Sequence, residues 1–186
     1  MIYCPWDFQL DNYPSIKEHL LQFEAELSAR PEVIQKRYPW YALSRYGPEF
    51  VDKLSKPKII YNKFQVKSVF AFDTESSFNN DATFVIPDAN FFLLGCLNSK
   101  MVWFQIKHFI PEIKGGHQLM FNGFSKVIIP AATPAQQAEI AALVEQVLAA
   151  KAADATADTA ALEQQIDALV AALYGLTPAE QLLLTA

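Results

Sequence analysis

Glycine is scarce in this chain, with six in 186 residues. Nucleotide cradles need glycine where the backbone must approach a phosphate closely. Neither Gly-x-x-x-x-Gly-Lys-Ser/Thr nor Gly-x-Gly-x-x-Gly occurs, and the Gly-x-Ser-x-Gly turn that carries a hydrolase nucleophile is also missing. An Asn-Pro-Pro-Tyr motif of amino-group methyltransferases is absent as well. Phosphate-loop NTPase, dinucleotide enzyme, elbow hydrolase and self-contained methyltransferase therefore all lack a warrant. Cysteine is limited to Cys4 and Cys96, which form no Cys-x-x-Cys pair, and His19, His108 and His117 show no ligand spacing. No metal site is expected, and both thiols read as buried or incidental. Long apolar runs are lacking too. With no basic segment leading into an apolar core at the N-terminus, neither a membrane span nor a secretory leader is expected, and the reading is cytoplasmic.

About half of the residues are hydrophobic (52%), enough for one good core and a small appendage. The net charge of -5 is unevenly distributed. From Thr133 to Ala186 only Lys151 is basic, against seven acids, whereas Arg30 to Lys67 holds nine cations and three acids. This basic field is interleaved with Tyr38, Trp40, Tyr41, Tyr46 and Tyr61. Cations neutralise phosphates and aromatics stack on bases, so the pattern suits a nucleic-acid backbone. It equally describes a solvated face over an ordinary core.

Ser15-Ile16-Lys17-Glu18 has the form of a capping box, and Ile16, Leu20, Phe23 and Leu27 follow at helical spacing, which predicts a helix from about Ser15 to Ala29. Prolines 31, 39, 48 and 57 then predict an irregular stretch with short helical turns. Lys58 to Tyr61, Ser68 to Phe72 and Thr83 to Ile86 read as strands of a small sheet. Ala89 to Asn98 and Ser99 to Phe109 read as helices packed on it. Lys114-Gly115-Gly116-His117 predicts a tight turn, with strands at Gln118 to Phe121 and Lys126 to Ile129. After Pro130 the composition shifts to Ala, Gln, Glu and Leu. Thr133-Pro134-Ala135-Gln136 is a capping box with proline at the first helical position. The stripes Ile140, Leu143, Val144, Val147 and Leu162, Ile166, Leu169, Val170, Leu173 predict an antiparallel helical hairpin. The fold class is α+β: a small mixed β-sheet packed with helices (residues 1–130), followed by the hairpin (131–186) as a spacer or docking tail.

Pro87-Asp88 and Glu112-Ile113-Lys114 match the loose Pro-Asp…Glu-x-Lys pattern of metal-dependent nucleases, in which two carboxylates hold a divalent metal. The pattern tolerates wide gaps and arises by chance, and Asp88 reads better as a helix cap, so no catalytic residue is assigned.

Lys56-Pro57-Lys58-Ile59-Ile60-Tyr61, the stretch Phe91 to Trp103 with its Leu-Leu-Gly-Cys-Leu-Asn-Ser-Lys core, Ile113-Lys114-Gly115-Gly116 and Ile128-Ile129-Pro130, taken in order, resemble the TaqI-like C-terminal specificity domain of type IIG restriction-modification enzymes and adenine-specific DNA methyltransferases. Tyr13 to Leu20, Tyr38 to Leu43 and the tail Leu162 to Thr177 are similar to the segments that flank it. The resemblance implies a domain that selects a double-stranded DNA sequence, while a separate upstream domain or subunit binds S-adenosylmethionine and methylates adenine N6. On that implication this chain is a non-catalytic reader with no cofactor of its own. Lys114, Gly115 and Gly116 match the recurring loop and are candidates for backbone contact. His117, Gln118 and Asn122 are candidates for base edges, since Gln or Asn can pair in two places with adenine in the major groove. Asn122, which precedes Gly123, serves equally as a turn former. Arg37, Arg45, Lys58, Lys63 and Lys67 are candidate phosphate contacts that set register. The alternative is a protein-interaction module that docks through the hairpin.

Overall fold

A computed structural model describes residues 2–45, 47–75, 77–79 and 81–185. The chain folds as two compact units, Met1–Asp52 and Lys53–Ala186. In the first, the expected single helix is two: α1 (Pro14–Leu21) and α2 (Glu24–Ser28). Pro14 occupies the first turn of α1, so the helix starts one residue before Ser15 and the anticipated capping box does not form. The chain leaves helical geometry at Phe23 (φ -113°, ψ 7°). A third short helix, α3 (Pro31–Ile34), begins the irregular stretch. Order there comes from Arg30. Its Nε donates to the Leu27 carbonyl at 2.9 Å, and its Nη2 to the carbonyls of Trp40 and of Ala42, the latter at 3.0 Å. The same guanidinium lies 5.4 Å from the centre of the Tyr38 ring, which stacks on Trp6. One cation thus replaces the backbone ladder that the prolines prevent.

After α4 (Pro48–Leu54), the second unit opens on the Ile- and Tyr-rich strand β1 (Lys58–Asn62). Its antiparallel neighbours are β3 (Phe70–Asp73) and β4 (Thr83–Pro87), in the order β3-β1-β4. A second antiparallel sheet has the order β2-β6-β5, with β2 (Phe64–Gln65), β5 (Glu112–Ile113) and β6 (Gly116–Gln118). The α+β class stands, with two three-stranded antiparallel sheets in place of one mixed sheet.

Helices α5 (Phe91–Asn98) and α6 (Lys100–Phe109) form as the apolar runs predict. Asn90 caps α5 and Ser99 caps α6, each through its side-chain oxygen. Asp88, read as a cap, instead sits at φ 52° before the helix. Ile59, Leu94, Leu97, Val102 and Ile106 form the centre of the core with Ile140, Val144, Ile166 and Val170 of the hairpin helices α8 (Pro134–Ala153) and α9 (Ala160–Leu173). The Thr133 capping box forms as expected, and a second closes on Thr177 and Glu180. Gly95 lets α8 approach α5: a Cβ there would stand 2.8 Å from a methyl of Ile140. Cys96 is buried in this core, and burial pushes its thiol up to about 12, so it stays protonated. Cys4 is buried in the first unit.

Two amide side chains do the work of strands. Asn98 accepts from Phe70 N–H at 3.0 Å and donates to its carbonyl at 3.0 Å, covering the outer edge of β3 at its first residue. Gln105 accepts from Ile128 N–H at 2.9 Å and donates to the Ile128 carbonyl, while the Tyr174 hydroxyl donates to that carbonyl too. Lys126 to Ile129 therefore joins no sheet, contrary to its reading as a strand: Ile128 is held by side chains, and the Lys126 and Val127 amides donate to the carbonyls of Gly123 and Phe124. The expected strand Gln118 to Phe121 likewise ends at Gln118: Leu119 turns into the core, and Phe121–Phe124 forms a one-turn helix, α7.

Candidate nucleic-acid interface

The β5–β6 turn is built from Lys114 and Gly115, with φ of 51° and 81° and Ile113 opposite Gly116. Two positive φ angles in a two-residue hairpin loop define a type I′ turn, whose twist matches the flanking strands. Glycine takes its position without strain. Lysine does not: Asn or Asp is the usual companion there, because an ordinary Cβ is crowded in the left-handed region. The turn thus carries an exposed ammonium at a conformational cost.

Register then sorts the neighbouring side chains, since cross-strand partners share a face. Phe64 stands opposite Gln118, and Ile113 opposite Gly116, so these four belong to one face. That face is open: Phe64 is 45% exposed, Ile113 50%, and Gln118 is exposed as well. Gly116 is a glycine for packing reasons. A Cβ there would meet the Phe64 ring at 2.5 Å and the Gln65 carbonyl oxygen at 2.9 Å. It is buried beneath Phe64, which corrects its reading as a backbone contact.

His117 points the other way. It is buried, with Nδ1 2.7 Å from the Ile110 carbonyl and its ring edge-on to Trp103. Its role is to anchor the hairpin from beneath, not to reach a base. Lys58 is a second correction. It is 0% exposed, pairs with Asp73 at 2.6 Å and donates to the Leu54 carbonyl at 2.7 Å. Its partner is held in turn by the amides of Glu75 and Ser77. The ammonium and these amides hold the Asp73 carboxyl below its ordinary value, the Lys58 hydrogen bond being the largest cause.

The remaining candidates divide by location. Lys63 lies 4.9 Å over the Phe84 ring and is half-buried, Lys67 is exposed beside β3, and Asn122 is exposed on α7. Among the described residues, no hydrogen bond engages the side chains of Gln118 or Asn122. Arg37 and Arg45 are exposed on the first unit, and Tyr46 lies outside the described residues. The second unit thus brings Lys114, Gly115 and Gln118 onto one open sheet, with Asn122 just beyond its end.

Sequence reasoning missed the apolar members of this surface. Phe64, Ile113, Met120 and Phe121 are all exposed, Phe121 by 79%. The signal was present in Leu119-Met120-Phe121, three apolar residues in a row of which an alternating strand turns at least one outward. No group of three or more His, Cys, Asp or Glu side chains that could hold a metal occurs among the described residues, and no described helix is long and apolar enough to cross a membrane.

No protein-family model matches the chain, and no curated protein matches it in sequence. Among solved structures, the chain is similar to MmeI, a type IIL restriction-modification enzyme solved in complex with DNA. The likeness covers 95% of this chain and 25% of MmeI, with a TM-score of 0.62 and 14% identity. At that identity the shared property is the fold. The chain spans about a quarter of its neighbour's length.

Proposed function

We propose that this chain is a sequence-specific reader of double-stranded DNA, the target-recognition part of a restriction-modification system. The observation that carries the reading is the open face of β2-β6-β5. It presents an unengaged amide at Gln118 beside a strained, charged turn at Lys114, in a fold shared with a DNA-bound restriction-modification enzyme. Lys114 neutralises a phosphate and fixes register, while Gln118 and Asn122 present donor and acceptor pairs to base edges. Lys63 and Lys67 stand on either side of β2 in the chain and add electrostatic attraction.

The finer reading is a TaqI-like specificity domain serving an adenine N6 methyltransferase of the type IIG kind, in the cytoplasm. In it, methyl transfer belongs to a separate domain or subunit, and this chain reads without catalysing. On this reading S-adenosylmethionine belongs with the methyl-transfer part. No residue here is assigned to that cofactor.

The test is fluorescence anisotropy of the chain with a randomised duplex pool at about 50 and 200 mM salt, followed by sequencing of the bound fraction. Binding that weakens by orders of magnitude with salt and enriches one sequence supports the reader. Binding absent at both salt concentrations sinks it.

A further inference from the structure

The surface proposed above to read DNA ends in a feature that hydrogen bonding and charge leave unused. Phe121 is 79% exposed, the highest value among the exposed large hydrophobic side chains of the described residues, with Met120 beside it 45% exposed. Single exposed apolar residues are ordinary. This one differs in how it is held.

Helix α7 is only four residues long, yet its second half is packed against the core. Phe124 is packed into the core, its ring 5.2 Å from Tyr61 and 5.8 Å from Phe70. Gly123 lies so close to Ile110 that a Cβ would stand 3.0 Å from that side chain. The amides of Gly123 and Phe124 both donate to the Met120 carbonyl, and Ser125 N–H donates to Phe121 at 2.8 Å. A short, braced turn therefore projects an aromatic ring whose backbone has little freedom left to lose on binding.

The charge along this part of the chain suits a polyanion. Between Glu112 and Glu139 the sequence has no acid, while Lys114 and Lys126 fall inside that interval, and the exposed Glu112 is paired in register with His117, on the face opposite Gln118. Gln118 and Asn122, the exposed amides, lie on either side of Phe121 in the chain.

We infer that Phe121 is an apolar wedge that enters the base stack of the bound duplex at a deformable step, so that this chain selects its site partly by how readily the DNA opens. This rests on the DNA-reading function proposed above. Wedges of this type act by unstacking one step, and pyrimidine-purine steps yield most easily.

Phe121→Ala and Phe121→Trp, with Lys114→Glu as a comparison, test it in the full chain. The probe is the duplex enriched from the randomised pool, or the pool itself if none is enriched, carrying 2-aminopurine at successive positions. Phe121→Ala is expected to weaken binding by about 10- to 100-fold, the range of one lost base contact. The slope of affinity against salt should stay unchanged, because no phosphate contact is lost. Wild type and Phe121→Trp should brighten 2-aminopurine at one step, and Phe121→Ala should not. If Phe121→Ala binds like wild type while Lys114→Glu is weakened, the wedge is wrong and the reader stands. Weakened binding without any 2-aminopurine change in wild type overturns insertion in favour of a surface contact. If wild type binds no DNA, the reader fails and the wedge with it.

Discussion

The two sheets of the second unit have the same strand count and the same antiparallel topology, and they use their side chains in opposite ways. In β3-β1-β4 the central strand is buried enough to enclose a lysine, and Tyr61, Phe70, Phe84 and Phe124 close into an aromatic cluster. In β2-β6-β5 one face is open, and a strained turn holds its lysine outward. Lys58 and Lys114 make the contrast concrete: the same residue type, read alike from sequence, is a structural cation in one sheet and a surface charge in the other.

Breaking the first sheet should have the largest effect. Asp73→Ala leaves the Lys58 ammonium buried without its carboxylate, and a loss of about 3–5 kcal/mol is expected by urea denaturation. Lys58→Met should cost less, because Asp73 is 10% exposed and keeps two backbone amides. The same pair sets an acid limit. Because the folded-state value of Asp73 lies below its ordinary 3.8, its contribution is fully present above about that pH and is lost as pH falls through the depressed value. Melting temperature should decline in that window, with a shallower decline in Asp73→Asn; identical profiles would remove Asp73 from the account.

Gly95→Ala tests the packing behind that sheet. Its new methyl meets Ile140 and Val144, both on one helix, so about 1–3 kcal/mol of destabilisation is expected in a thermal melt.

The second sheet should respond in function and hardly in stability. Lys114→Glu is expected to leave the melt within about 0.5 kcal/mol of wild type. It should also weaken DNA binding and reduce the salt slope by about one. Lys114→Asn sharpens the contrast most finely. Asparagine suits the first position of a type I′ turn, so stability should rise by a few tenths of a kcal/mol, up to about 1, while DNA affinity falls. Stability and affinity rising together would show that the lysine is not kept for its charge.

What could be read from sequence follows the range of the interactions involved. The Thr133 capping box, the apolar runs of α5 and α6 and the hairpin stripes are local patterns, and each gave its element. So is the turn at Lys114-Gly115. Lys58 was misread because its partner lies 15 positions away across a strand pairing: Ile59-Ile60-Tyr61 announces a buried strand, but nothing local supplies the carboxylate that lets a lysine be buried with it. His117 was misread for the same reason, since the Ile110 carbonyl reaches it only once the hairpin has closed. The Ser15 box failed on a local competitor, as Pro14 had already fixed the start of the helix. Phe121 escaped notice because a strand was assumed to continue where a core residue, Leu119, ends it.

Asn98 has a further consequence. β3 is an edge strand rich in phenylalanine, and an edge of that type can template the addition of a strand from another molecule. By holding both the N–H and the carbonyl of Phe70, the Asn98 amide occupies the first pair of outward hydrogen-bonding groups on that edge, where an incoming chain would start to pair. A helix-terminal side chain thereby shortens the free edge by one residue, so Asn98→Ala should raise the tendency of the chain to self-associate, as read by light scattering on storage.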